Sequence, residues 1–427
     1  MNIKKYMKET LKYSLRSKFV IKKYIRESED YYQMAPEELK LHNEKRFIEL
    51  FQNTYDNSPF YHRLYSEAGI QRNSIKKMDD IKKLPVVTKE MIREHPEALL
   101  TCPKWKLIEN HTSGTTGFPM IVYESWPALW REQAYIVCYR KKCGFISGKQ
   151  VLASLRGHLD RKTRTMYVGI SKTLYLSSFQ LNENTVIDYY NQILKYNPLA
   201  IEGYPSSLVH LCSLLKSKGL KCTIPVVFTS SETLSSVHRS LIAEVLSAQV
   251  YDHYGTTERT IALSERLDHQ GYYELPGYSI NEFEENRVIT TSLINEAFPL
   301  IRYKVDDIII FDMINGERLI TSIGGRNTEH VTGKDGTHFN AAALTYVAKV
   351  IPNIQNVQLV QNEVGKLDVN VVPDSDFNKD CIEKSIEAIN NRIGKGNMDV
   401  VINVITNQEL IFSNSNKLSL VVNRTIC

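Results

Sequence analysis

The sequence predicts an α/β protein with two parts: a large N-terminal domain, residues 1–326, with mostly parallel sheets, flanking helices and a β-rich part, and a small α+β C-terminal domain, residues 327–427. Three observations carry this expectation. From residue 120 to residue 255 short apolar runs alternate with helical periods, the pattern of βαβ units. After residue 287 the chain turns β-rich, and beyond Arg326 about a hundred residues follow a different helix–strand rhythm. A chain of 427 residues also exceeds one typical domain.

Composition bounds the rest. Hydrophobic content of 42% and charged content of 24% are ordinary for a globular protein. There is no run of about 18 apolar residues to span a membrane, and the lysine-bearing N-terminus lacks the apolar stretch of a secretory signal. Seven cysteines, an odd number with no CxxC pair, speak against a disulfide framework or a structural zinc site and fit a reducing cytoplasm. The net charge of +5 is concentrated: residues 1–26 hold nine Lys or Arg against one Glu, which leaves 44 basic and 47 acidic side chains elsewhere. A general nucleic-acid-binding surface is therefore not expected. Within that basic segment Ile3, Met7, Leu11 and Leu15 recur every four residues along one helical face. The amphipathic helix so predicted has two placements open to it, packed on the body or resting on an anionic membrane surface.

A second helical pattern runs from 37 to 55, with Phe47, Ile48, Leu50, Phe51 and Tyr55 as its apolar face. The stretch His111–Pro119, HTSGTTGFP, then sets Thr112, Ser113, Gly114, Thr115, Thr116 and Gly117 where no side chain buries much apolar surface. It reads either as a surface turn or as an anion cradle, in which glycines turn successive N–H groups to one side and hydroxyls add donors. MIVYE follows as a strand, and Ser125 and Pro127 open a helix that runs to Lys142 and stops at Gly144. QVLASL, LAIEGY, PVVFTSS and QVYDHYG read as strands, with helices at 185–196, 205–218 and 234–247 between them. Ligands of such sheets collect at the carboxyl ends of strands. Three polar corners stand there: Tyr204 to Ser207, Ser230-Ser231-Glu232, and Tyr254-Gly255-Thr256-Thr257-Glu258. RVITTSL, PLIRYKVDDIIIFD and RLITSIGGR supply the β-rich part. The last domain reads as a helix near 340–350, strands near 355–361 and 366–372, a helix at 378–392 and a strand near 399–405.

HTSGTTGFP, SSE at 230–232, YGTTE at 254–258, PLIRYKVDD at 299–307 and GGR at 324–326, in this order, resemble the adenylate-forming acyl ligase superfamily. The likeness is greatest to its phenylacetate-CoA ligase-like group and, there, to the capsular-polysaccharide-biosynthesis branch, whose look PFYHRLYSEAGI, LPVVTKEMIR, EGYPSSL and DGTHFNAAAL also share. The resemblance implies ATP-dependent activation of a small-molecule carboxylate as an acyl-adenylate, with transfer to CoA or to an amine such as an amino sugar. By it, Thr112, Ser113, Thr115 and Thr116, with the backbone of Gly114 and Gly117, surround the leaving phosphates, and Glu258 is the Mg²⁺ ligand. Ser231, Glu232, Tyr254 and Gly255, with Thr256 and Thr257 in the same motif, form the nucleotide corners. Asp307 accepts from the ribose hydroxyls, Arg326 reaches ribose and phosphate, and Lys417 is the catalytic lysine of a mobile C-terminal domain that swings about Thr328.

Several positions depart from the family pattern. Asp306 stands where a glycine is usual, Thr328 where the hinge is Asp or Lys, and Asn416 where Gly precedes the lysine. These departures motivate the alternative of a catalytically inactive nucleotide-binding scaffold at the membrane surface. Residues 265–284 contain no cysteine, so the zinc cluster of some relatives is not expected. The acyl pocket is expected around Trp126, Trp130, Arg156, His158, Arg161 and Lys162, whose basic groups suit either a polar or anionic substrate or a solvated surface.

Overall fold

The computed structural model describes residues 7, 10–11, 13–14, 21–111, 120–156, 159, 163–284, 287–314, 317–326, 330–340, 351–393, 396–412 and 418–425. Met7, Thr10, Leu11 and Tyr13 are helical, and the first helices described throughout are α1 (Ile21–Gln33), α2 (Pro36–Asn57) and α3 (Pro59–Glu67). The predicted apolar face of α2 is inside at Phe47, Leu50 and Phe51, and Ser58 ends α2 and caps α3 by accepting from the Tyr61 N–H. Of the N-terminal stripe, Ile3 and Leu15 lie outside the described residues, while Met7 and Leu11 are exposed. Among the described residues of the basic segment, Thr10, Tyr13 and Ser14 are part-buried and Ile21 and Tyr24 are buried.

Strands β1 (Ile108–His111) and β2 (Ile121–Glu124) bracket residues 112–119 and pair antiparallel, with His111 opposite Ile121. Helix α4 (Trp126–Lys142) follows, its first turn capped by Ser125 Oγ, which accepts from the Ala128 N–H at 3.2 Å. It ends as expected before Gly144, whose φ of +87° needs a residue without Cβ strain. Ile21 and Tyr24 of α1 pack on Ala134, Trp130 and Val137 of α4, and Glu27 pairs with Arg131 at 3.1 Å.

The alternating region follows the sequence closely. It comprises β3 (Leu152–Arg156), β4 (Thr165–Val168), β5 (Thr173–Ser177), α5 (Val186–Tyr196), β6 (Ala200–Gly203), α6 (Pro205–Ser217), β7 (Val226–Ser230), α7 (Ser236–Leu246) and β8 (Gln249–Gly255). Strands β5, β3, β6 and β7 are parallel neighbours in that order, and β4 adds antiparallel to β5. Leu155, Leu176, Tyr189, Ile201 and Leu208 form the centre of the core between this sheet and its helices. The β4–β5 hairpin is absent from the sequence expectation, because runs of four and five residues give too little alternation to separate a strand from a loop.

Antiparallel structure takes over after β8, which pairs with β9 (Ala262–Glu265) and through it with β10 (Tyr272–Glu274). A three-stranded meander follows, β11 (Ser279–Glu284), β12 (Arg287–Ser292) and β13 (Tyr303–Val305), then the hairpin β14 (Asp307–Ile314) and β15 (Glu317–Arg326). The C-terminal region holds the small pair β16 (His330–Thr332) and β17 (His338–Asn340), then β18 (Ile354–Gln361), β19 (Lys366–Pro373), α8 (Lys379–Ile393), β20 (Asp399–Val404) and β21 (Val421–Asn423). Its sheet runs β20-β19-β18-β21 over a core that includes Val331, Leu359, Val369, Ile389 and Val421. The helix expected near 340–350 falls almost wholly outside the described residues.

The chain divides into two compact units, Met1–Lys149 with His253–Val305, and Gln150–Asp252 with Asp306–Cys427. Among the described residues no helix is long and apolar enough to cross a membrane.

Candidate active site

In the first unit the corner at the end of β8 carries Glu258 and is built around its neighbour Arg259. Gly255 ends the strand, Thr256 and Thr257 turn the chain, and the Arg259 N–H donates to the Thr256 carbonyl oxygen at 3.1 Å. Thr256 Oγ1 also accepts from the Thr260 N–H at 3.4 Å. The turn is completed by Arg259 at a φ of +58°, a left-handed conformation that costs a non-glycine residue energy unless neighbours hold it. The neighbours are charged. Arg259 Nε donates to Glu124 Oε1 at 3.0 Å and Nη1 to Glu132 Oε1 at 2.9 Å, with only 2% and 5% of those glutamate side chains exposed. Burial pushes the Glu124 carboxyl pKa up, with Arg259 opposing, whereas the two carboxylates raise that of the Arg259 guanidinium.

The cluster reaches further. Asn110 Nδ2 of β1 donates to Glu124 Oε2 at 3.2 Å, and the Tyr278 hydroxyl donates to Glu132 Oε2 at 2.5 Å. Backbone carbonyls of the turn are held from β12, where Ser292 Oγ donates to the Arg259 oxygen at 2.7 Å and Thr290 Oγ1 to the Thr260 oxygen at 2.6 Å. Glu258 itself is part-exposed at the head of this framework. A hard carboxylate oxygen at a strand end fits Mg²⁺, which binds through one or two carboxylates plus substrate phosphates and needs no protein cage. Among the described residues no group of three or more His, Cys, Asp or Glu is arranged for a metal.

The second unit gathers the other corners. Ser231 takes a φ of +71° beyond β7, and the next residue, Glu232, points back to the start of α6. Glu232 Oε2 accepts from the Ser206 N–H and Oε1 from Ser206 Oγ, both at 3.0 Å. Glu232 Oε1 also accepts from the Leu418 N–H at 3.1 Å. Leu418 follows Lys417, so one carboxylate joins two strand-end corners to the neighbour of the predicted catalytic lysine. Arg156, at the end of β3, lies over the Tyr204 ring at 5.6 Å and donates to Ser230 Oγ at 3.0 Å.

The segment carrying Lys417 is fastened by a residue that sequence inspection passes over. Gln358, fully buried on β18, donates through Nε2 to the carbonyl oxygens of Ile411 at 2.8 Å and Ser419 at 3.0 Å. Its Oε1 accepts from the Ile411 N–H at 3.0 Å. Phe412 and Leu418 form an antiparallel bridge just inside these contacts. A glutamine in a strand gives no functional signal by itself; its burial does.

Of the expected residues, the structure brings Asp307 and Arg326 opposite one another on β14 and β15. Ser231 and Glu232 share a corner, and Tyr254, Gly255, Thr256, Thr257 and Glu258 share another. Thr112, Ser113, Gly114, Thr115, Thr116, Gly117, Thr328 and Lys417 lie outside the described residues, as do His158, Arg161 and Lys162. Trp130, expected near the acyl pocket, stacks with Tyr24 at 5.9 Å and serves the α1–α4 packing.

Comparison with known proteins gives four findings. Residues 331–424 match the family described as CapK C-terminal domain. The chain is 24% identical over 364 residues to Protein CapK of Staphylococcus aureus, covering 80% of each chain. It is 22% identical over 366 residues to the phenylacetate-coenzyme A ligase of Escherichia coli, covering 78% of this chain and 81% of that one. In three dimensions it is similar to a 2-hydroxyisobutyryl-CoA ligase in the postadenylation state in complex with 2-HIB-AMP, with a TM-score of 0.70, 18% identity and coverage of 92% and 91%.

Proposed function

The chain belongs to the adenylate-forming acyl ligase superfamily, in its phenylacetate-CoA ligase-like group, and from that premise we propose a two-step reaction at the residues described above. It is an ATP-dependent, AMP-forming enzyme of the acyl-CoA ligase kind. In the first step a carboxylate oxygen of the acid attacks the α-phosphorus of ATP, the bond to the bridging oxygen breaks, and pyrophosphate leaves. In the second, a thiol or amine attacks the acyl carbon and AMP leaves.

The residues divide this work. The HTSGTTGFP loop, with Thr112, Ser113, Thr115 and Thr116, receives the departing phosphates, and Glu258 holds the Mg²⁺ that offsets their charge. Asp307 and Arg326, paired across β14 and β15, hold the ribose. Ser231, Glu232 and Tyr254 frame the base. Lys417 sets its ammonium between the two anionic reactants, which lowers their repulsion as they approach. The C-terminal domain, residues 327–427, then moves about Thr328 to admit the acceptor. CoA is one acceptor. An amine such as an amino sugar, in surface-polysaccharide synthesis in the cytoplasm, is the other, and it rests on the sequence likeness to the capsular branch.

The observation that carries the reading is the Glu232 carboxylate, which holds Ser206 and the residue after Lys417 at one corner. The test is ATP–pyrophosphate exchange with a panel of aryl, amino and hydroxy acids and no acceptor. Exchange that depends on one class of acid is expected. Protein that binds ATP but exchanges with no acid supports the scaffold instead.

A further inference from the structure

The Glu124–Arg259–Glu132 cluster has more charge than its packing needs. One guanidinium meets two buried carboxylates, and replacing such buried ion clusters by apolar side chains of similar volume is often neutral or stabilising. Stability alone does not account for it. Its position is informative: Arg259 directly follows Glu258, adopts a left-handed backbone, and keeps 24% of its side chain exposed while its partners keep almost none.

Its partners are informative too. Glu124 is the last residue of β2, and Asn110, which donates to it, is the penultimate residue of β1. Both strands that bracket residues 112–119 are thereby tied to the residue after Glu258. The other arm runs to Glu132 on α4 and on to Tyr278, so the guanidinium is held from two directions. A planar fork bridging two carboxylates fixes both distance and angle, which a lysine ammonium cannot do.

We propose that Arg259 is a positioning residue, which locks the turn carrying Glu258 onto β1 and β2 so that the Mg²⁺ ligand keeps one geometry relative to both strands. The inference rests on the reading of Glu258 as the Mg²⁺ ligand. Without the lock, ATP still binds through its base and ribose, but Mg²⁺ no longer tightens it.

The experiment measures ATP affinity by calorimetry with and without Mg²⁺, in the full-length protein. The charge-free variant Glu124→Gln/Glu132→Gln/Arg259→Met leaves no unpaired buried ion, and Arg259→Lys keeps the charge without the fork; thermal melting confirms that each is folded. Wild-type protein is expected to bind ATP at least tenfold more tightly with Mg²⁺. The triple variant should lose that gain while its Mg²⁺-free affinity stays within twofold, and Arg259→Lys should keep part of it. A folded variant of either kind with the full Mg²⁺ gain overturns the positioning role. Wild-type protein that binds ATP with no Mg²⁺ gain overturns the reading of Glu258 and the inference with it. If the triple variant does not fold, Arg259→Lys decides between these outcomes alone.

Discussion

The turn that carries Glu258 and the segment that carries Lys417 are fastened by opposite chemistry. The first is pinned by ions, with Arg259 between Glu124 and Glu132. The second is pinned mainly by neutral groups: Gln358 ties down both flanks at residues 411 and 419, while one carboxylate, Glu232, accepts from the Leu418 N–H. A buried charge that loses its partner costs several kcal/mol, whereas a neutral hydrogen bond exchanges with water at a net cost of about 1 kcal/mol. The ionic clamp therefore suits a part that must not move. In the other region, residues 411 and 419 are held by amide hydrogen bonds and the Leu418 N–H reaches Glu232 through one hydrogen bond, contacts that cost less to release, as a segment proposed to leave the site between half-reactions requires.

The contrast is sharpest in variants that remove the carried groups. Glu258→Gln and Lys417→Ala should each abolish acid-dependent pyrophosphate exchange with little change in melting temperature; full activity in either would remove that residue from the site. Arg259→Met alone strands two buried carboxylates and should cost about 3–5 kcal/mol of stability. The charge-free triple variant should recover most of that loss in urea unfolding, and failure to recover would mean that the clamp acts as a bulk stabiliser.

The neutral region should respond more mildly. Gln358→Leu removes three hydrogen bonds and should destabilise by about 2–3 kcal/mol, with exchange reduced while its Mg²⁺ dependence is unchanged. A shifted Mg²⁺ dependence would break the separation between the two regions. His238 on α7, whose Nε2 donates to the Gln355 carbonyl oxygen at 3.1 Å, makes a second neutral joint. Burial lowers its pKa from 6.5 to about 4, so the neutral form belongs to the fold. Its contribution is present above pH 6.5 and is lost as pH falls toward 4, about 2 kcal/mol between pH 7 and 5. His238→Gln should flatten that part of the stability–pH profile. The smallest effect is expected from Glu232→Gln, which turns one acceptor into a donor facing Ser206; a loss of about 1 kcal/mol and a few-fold fall in exchange should follow, with no effect of added Mg²⁺.

Legibility in the sequence followed the range of the interactions. The helix from Trp126 to Lys142 was readable because Ser125, Pro127 and Gly144 act within a turn of chain. The parallel strands were readable because burial on both faces leaves continuous apolar runs such as PVVFT. The corners at 230–232 and 254–258 were readable as polar punctuation at strand ends. The β4–β5 hairpin and the antiparallel pairs from Ala262 to Glu284 were not, since short strands gain their identity from partners far along the chain.

Sequence by itself determined the fold class, the order of strand-end motifs and the likeness to the adenylate-forming ligases, because each depends on local periodicity or on short words such as YGTTE. Only the tertiary structure decided which unremarkable polar residues serve those motifs. Glu124, Glu132, Arg259 and Gln358 carry no signature in sequence. They are separated by as many as 146 positions from the groups they hold, and a buried charge or amide declares its role only when folding brings its partner within 3 Å and excludes the water that would otherwise replace it.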